Sequence, residues 1–225
     1  MTVGRAQFGP IRIAWTDAAA SPAPDPEILE RLGDAQVRRH ASLSGGTAHR
    51  FAVGRTLLVS LIREITDAAE LGFTTTCERC GAEHGRPRLE RVPVAVSISS
   101  AGSVVAVAAA LQTDAGAVGV DIERVPADGA GTQLRELAAL FAPAPPPDTE
   151  GWTLLEAALK ADGRGIAVDL AEVHIGAIGT GGLAGSRAVR IPGRVDALDA
   201  GVIAGPAGFV LSAAMVPAAG ERHPS

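Results

Sequence analysis

The stretch Gly119-Val120-Asp121-Ile122-Glu123-Arg124-Val125 constrains this chain more than any other. Val118, Val120, Ile122 and Val125 are apolar and β-branched, which predicts a strand, and Asp121 and Glu123 interrupt them. Side chains two positions apart on a strand share a face. The two carboxylates therefore project together from a segment that otherwise reads as buried. Like charges in such a place repel and lose hydration unless a proton or cation compensates. A hard divalent cation with oxygen ligands is the obvious compensation.

A second stretch adds to the first. Trp152, Glu156 and Lys160 recur at i, i+4 and i+8, which on a helix places them on one face. Asp162-Gly163-Arg164-Gly165 then reads as a helix stop. Glu156 is a candidate third oxygen ligand, and Lys160, one turn on, is a fixed positive charge. Mg²⁺ held by few carboxylates beside a lysine suits the handling of phosphates. Taken singly, the strand acids also read as a solvated edge, and Glu156–Lys160 as a surface pair contributing only about 0.3–0.5 kcal/mol. The conjunction carries the functional reading.

Composition narrows the alternatives. With 225 residues and 47% hydrophobic content the chain has material for one large core or two small ones. A net charge of −5 and aromatic content of 3%, with no tyrosine, disfavour a nucleic-acid binder, which needs cationic surface and stacking platforms. The longest uninterrupted apolar run, Val104 to Leu111, is too short to span a membrane. No basic region followed by an apolar run opens the chain, so a cytoplasmic location is expected. Cys77 and Cys80 form a C-x-x-C pair. His84 would be a third zinc ligand, but a fourth is not evident, so a reduced pair in a loop is the simpler reading.

Along the chain, Gln7 to Trp15 reads as one strand. Pro26 opens a short helix that ends near Gly33, and Arg38, Arg39 and His40 form a basic cluster. Ala48 to Ile65 carries a broad apolar stripe and reads as a helix, with His49, Arg50 and Arg55 on its polar side. Thr74 to Leu89 reads as loop. Val94 to Ser99 and Val104 to Leu111 read as strands joined by a small-residue turn. Thr132 to Phe141 is expected to be helical, and the prolines between Phe141 and Thr149 predict an exposed loop. The last quarter shows β-like runs at Val173 to Ile178, Ala188 to Ile191, Val195 to Leu198 and Phe209 to Val216.

The motif GVDIE followed by W-x-x-x-E-A-x-x-K-x-x-G resembles the 4′-phosphopantetheinyl transferases of the Sfp-like, two-lobed class. The resemblance implies an α+β fold of two similar α/β lobes related by pseudo-twofold symmetry, divided at 1–112 and 113–225. It implies Mg²⁺ on Asp121, Glu123 and Glu156, and coenzyme A in the inter-lobe cleft. Arg39, Arg50, Arg86, Ser100 and Lys160 would lie along the cofactor. A serine of an acyl or peptidyl carrier protein would attack the β-phosphate, with Glu156 and Lys160 catalytic, in secondary metabolism. Carrier contacts are expected around Phe141 to Trp152, and the family is usually monomeric. Cys-x-x-Cys-Gly before His-Gly-x-Pro resembles a loop signature of some members.

The chain departs from the family pattern at several positions. Ser100 stands where a histidine is expected, Leu155 where a lysine precedes the motif glutamate, Val59 in place of an arginine, and Thr47 in place of an acidic residue. Each lost charge-assisted hydrogen bond weakens the hold on a charged cofactor by about 1.5–3 kcal/mol. The alternative is a relative that keeps the fold but catalyses another reaction or only binds carrier proteins.

Overall fold

The structure, a computed structural model, describes residues 2–68, 70–77, 80–83, 85–126, 138–142 and 145–218. Among these, four α-helices, α1 (Glu27–Leu32), α2 (Asp34–Ala41), α3 (Gly45–Arg63) and α4 (Thr149–Asp162), combine with eleven strands. The strands are β1 (Gly4–Phe8), β2 (Ile11–Asp17), β3 (Phe73–Thr74), β4 (Arg88–Leu89), β5 (Val94–Ala101), β6 (Val104–Leu111), β7 (Ala115–Arg124), β8 (His174–Ile175), β9 (Arg187–Arg190), β10 (Leu198–Ile203) and β11 (Phe209–Pro217). This mixture of helix and sheet agrees with the α+β class expected from the sequence.

Two antiparallel sheets dominate, one in the order β1-β2-β6-β5 and the other in the order β7-β11-β10-β9-β8; β3 and β4 form a small ribbon. Helix α3 covers the first sheet, where Val53, Leu57, Leu58, Leu61 and Ile62 pack on Val94, Val96, Val105 and Val107. Helix α4 covers the second, with Leu154, Leu155, Ala158 and Leu159 against Leu198, Ala200 and Ala214. The sheets share a third core: Ile11, Ile13, Ala106 and Ala108 meet Val118, Val120, Ile122, Leu211 and Met215. Strand β6 is therefore covered on both faces, and an uninterrupted apolar run fits a strand so placed.

Several local expectations shift. The single strand read over Gln7 to Trp15 is a hairpin of β1 and β2, with Phe8 opposite Ile11. Gly9, at φ 53°, and Pro10 close its two-residue turn, a conformation that favours glycine. Arg38, Arg39 and His40 lie on α2, which the sequence reading left unassigned. The expected strand at Val195 to Leu198 begins only at Leu198; Val195 is 96% exposed, just beyond a turn closed by Arg194 N–H and Ile191 O at 3.1 Å. Of the helix expected over Thr132 to Phe141, residues 132–137 lie outside the described residues and Ala138–Phe141 form a 3-10 turn.

Arg55, expected on the solvated side of α3, is instead packed inward. Its guanidinium lies 4.3 Å from the centre of the Phe51 ring and 5.0 Å from that of Phe73, and its Nε donates to Gln36 Oε1 at 2.8 Å. Burial, reinforced by the charge of Arg39, pushes it down to about 10. The aromatic faces and the amide replace the hydration it gives up.

Candidate active site

Helix α4 owes its limits to its end residues. Asp148 caps the N-terminus by accepting from Gly151 N–H at 2.8 Å. Gly163, at φ 90°, ends it in the left-handed conformation, its N–H bound to Leu159 O at 2.9 Å. The helix lies unusually close to β7, because Gly119 has no β-carbon where the carbonyl of Ala157 passes. Strand alternation turns Val118, Val120 and Ile122 into the core between the sheets and leaves Asp121 and Glu123 on the side of α4. The half-buried Glu156 and Lys160 of α4 meet them there.

The acids and the lysine form one cluster. Lys160 Nζ is 2.5 Å from Asp121 Oδ1 and 3.6 Å from Glu156 Oε2. A residue the sequence reading did not single out completes it: the Ser99 hydroxyl donates to Asp121 Oδ1 at 2.7 Å and accepts from Lys160 at 2.9 Å. Two residues earlier on β5, Ser97 Oγ accepts from Val120 N–H at 3.1 Å. These serines stitch the edge strand of the first sheet to the edge strand of the second, and the cluster sits on that seam. A signal existed in the sequence: Ser97 and Ser99 are polar positions on one face of a strand whose first three residues are apolar.

The electrostatics show how crowded the charges are. Burial raises the Glu123 carboxyl above its ordinary range, and the charges of Asp121 and Glu156 raise it further, against the pull of Lys160. Glu156 is also raised, first by burial and then by Asp121, with Lys160 working the other way. Asp121 is almost fully buried, and its Oδ2 has no hydrogen-bond partner. The indole N–H of Trp152 faces Glu123 and opposes its rise, but it too lacks a well-formed hydrogen bond. A buried, unpartnered carboxylate oxygen is costly unless something binds it.

Carboxylate oxygens are the ligand type that a hard divalent cation takes, and such an ion would offset the repulsion among them. As the side chains stand, no group of three or more His, Cys, Asp or Glu among the described residues is arranged to hold a metal. Lys160 occupies the space between two of the acids. Ser99 and Lys160 do not form a nucleophile and its base, since the hydroxyl proton is committed to Asp121.

The predicted phosphate-binding residues separate into different places. Arg50 reaches the β5–β6 turn, its Nη1 donating to Gly102 O at 2.6 Å, beside the exposed Ser100. Arg124, given no role in the sequence reading, approaches Gly102 from the other sheet while lying over the Phe209 ring, 5.1 Å from its centre. Arg86 instead donates to Ala161 O at 2.9 Å at the end of α4. Burial lowers its pKa, Asp162 opposes this and Arg194 adds to it. Arg39 is exposed on α2, beside Arg55.

The departures from the family pattern also find places. Leu155 and Val59 are buried in the cores under α4 and α3, and Thr47 is exposed. Phe141, expected near a carrier contact, is buried edge-on against Trp152, with ring centres 6.1 Å apart. Cys77 is half-buried and Cys80 exposed, in a turn held by Gly81 N–H to Cys77 O and Cys77 N–H to Ala82 O, both 2.8 Å. His84 lies outside the described residues. No helix among the described residues is long and apolar enough to cross a membrane.

In comparisons with known proteins, no family model and no curated sequence matches this chain.

Proposed function

We propose that this protein is a Mg²⁺-dependent 4′-phosphopantetheinyl transferase that modifies a serine of an acyl or peptidyl carrier protein, using coenzyme A as donor. The observation that carries the reading is the meeting of Asp121, Glu123, Glu156 and Lys160 at the seam between the sheets. All strands of the first sheet precede residue 112 and all strands of the second follow it, each sheet backed by one long helix. That division supports two pseudo-symmetric lobes, 1–112 and 113–225, with the ligand cleft between them.

In this reading Asp121, Glu123 and Glu156 hold the cation, which when bound polarises phosphoryl oxygens as a Lewis acid. In this reading Glu156 accepts the proton of the incoming serine hydroxyl. The serine oxygen forms its bond to the β-phosphorus, and the bond from that phosphorus to the oxygen of adenosine 3′,5′-bisphosphate breaks. Lys160 neutralises charge that develops on the phosphates and leaving group. Arg50, with Ser100 beside it at the Gly102 turn, takes nucleotide phosphate. Arg39, on α2, and Arg86, at the end of α4, are not brought to that turn; Arg86 has guanidinium N–H groups beyond the one bound to Ala161 O.

Mass spectrometry of an apo carrier protein incubated with this protein, coenzyme A and Mg²⁺ tests the reading. The expected result is a gain of one phosphopantetheine that disappears without metal and in Asp121→Ala. No gain across several carriers, with no calorimetric binding of coenzyme A, overturns it. The second reading is then favoured: a relative with a reassigned cleft, to which the uncharged Ser100, Leu155 and Val59 point.

A further inference from the structure

We infer that Arg86 is a positioning residue: from the first half of the chain it holds the C-terminal end of α4, and so fixes where Glu156 and Lys160 stand over Asp121. The hold is read from geometry alone. Its consequence for the reaction rests on the transferase reading above, where it gives Arg86 a part in turnover in place of a nucleotide contact.

Both ends of the contact are anchored. Gly85 N–H is bound to Thr75 O at 2.6 Å, and a β-carbon at Gly85 would run into the backbone of Thr76 and Cys77. Pro87 follows with its fixed φ. Arg88 and Leu89 then pair with Thr74 and Phe73, and Phe73 and Leu89 are buried in the core under α3. Arg86 thus leaves a rigid ribbon. At the far end, Ala161 is fully buried in the core under α4.

Between these anchors Arg86 Nη1 donates to Ala161 O at 2.9 Å, across 75 positions of sequence. That carbonyl belongs to the last turn of the helix, where carbonyls lack intrahelical donors and the dipole presents its negative end. The guanidinium carbon lies 3.6 Å from where a β-carbon at Gly163 would stand, so the charge rests on the helix end. Asp162 attracts it further. Asp162 is itself gripped by Arg164 and Arg194, and Arg164 reaches on to Pro192 O at 2.8 Å. The end of α4 is therefore held from two sides, by the ribbon through Arg86 and by the β9–β10 connection through Arg194.

Ala161 directly follows Lys160, whose ammonium is bound to Ser99 Oγ at 2.9 Å. That bond comes through a flexible four-carbon stem and leaves the main chain free to shift. The bond of Arg86 is made to the main chain itself. A guanidinium that receives phosphate keeps its fork open to the anion; this one is laid on helix carbonyls, at the end of the dipole that disfavours anions.

The test compares the wild type with Arg86→Met, which keeps the length and loses the donors, and Arg86→Lys, which keeps a charge that can reach a carbonyl. Hydrogen–deuterium exchange is followed in α4 and α3. Carrier modification gives kcat and the coenzyme A KM, and calorimetry gives the coenzyme A Kd. In Arg86→Met the amides of Lys160 to Gly163 should exchange about tenfold or more faster, as expected for a lost charge-assisted hydrogen bond, with α3 unchanged. The kcat should fall by a similar factor while KM and Kd for coenzyme A stay within about twofold. Arg86→Lys should recover part of both losses. Unchanged exchange at the end of α4, or an equal increase in α3, overturns the hold. Faster exchange with unchanged kcat overturns the positioning role. A coenzyme A Kd raised about tenfold with kcat unchanged makes Arg86 a nucleotide ligand and overturns the inference. If the wild type neither binds coenzyme A nor modifies a carrier, the transferase reading fails, and the exchange at the end of α4 alone decides the inference.

Discussion

The carbonyl oxygen of Ala157 on α4 rests against Gly119 of β7, in the space that a β-carbon at position 119 would fill. The obstacle is backbone, which cannot rotate aside as a flexible side chain can. This approach brings Glu156 and Lys160 down onto Asp121 and Glu123, so the glycine two residues before the first acid sets the height of the whole cluster.

Gly119→Ala should therefore lift α4 from the sheet. A cost of about 3 kcal/mol or more is expected, at the upper end for overpacking, because neither partner can repack. Urea denaturation measures it. Gly46→Ala is the control: nothing lies within contact distance of a β-carbon there, and the change should be neutral or stabilise by up to about 1 kcal/mol.

Asp162 is nearly inaccessible at the end of α4, where Arg164 Nε binds it at 2.7 Å and Arg194 Nη1 at 3.0 Å. Arg194 Nε is buried without a partner. Asp162→Ala would leave guanidinium groups facing one another, with Arg86 beside them. A loss of about 2–4 kcal/mol is expected, less than for a fully buried pair because Arg164 can turn to solvent. Burial pushes the Asp162 carboxyl up, but the bonds and charges of Arg164 and Arg194 more than offset this and hold it low. Its stabilisation is therefore full above the ordinary aspartate range and lost as pH falls through the lowered value. The wild type minus Asp162→Ala difference in Tm should shrink in acid.

Glu123 should show the opposite dependence. Its folded carboxyl is raised, by burial first and by Asp121 and Glu156 next. The native state then binds the proton more tightly than the unfolded chain, so stability falls as pH rises from the ordinary glutamate range through the raised value. Glu123→Gln removes this penalty. In metal-free buffer its Tm should exceed that of the wild type at pH 7–8 by a few degrees, at roughly 2–4 °C per kcal/mol. The gain should vanish below about pH 4, where both carry no charge. An equal gain at both pH values would contradict the electrostatic origin.

Leu155 occupies the position of a family lysine, yet it is buried among Leu154, Leu159 and Leu198. Leu155→Lys should not restore a contact to phosphate. It should destabilise by about 3 kcal/mol or more, since an ammonium is carried into an apolar layer. Thermal unfolding together with calorimetric affinity for coenzyme A separates the two outcomes.

Much of the fold was legible because it is written in local periodicity. The apolar stripe of α3, the apolar run of β6, and the proline and glycine that bound α4 all depend on residues within a few positions of one another. The errors were local too. The Gly9-Pro10 turn splits a run that alternation alone reads as one strand, and Gly193-Arg194 delays the start of β10. Arg55 looked solvated because its aromatic neighbour Phe73 and its amide partner Gln36 come from other elements.

By itself, then, the sequence determined the strand that carries Asp121 and Glu123, the helix that carries Glu156 and Lys160, and the side of each on which those charges stand. These follow from backbone geometry over short spans. Only the tertiary structure decided that Lys160 and Ser99 share one oxygen of Asp121 and leave the other open. It also turned Arg86 to the end of α4 and brought Arg50 and Arg124 to the Gly102 turn. Contacts of that kind join residues from distant parts of the chain. Their energies depend on how closely two sheets and a helix pack, which no local pattern records.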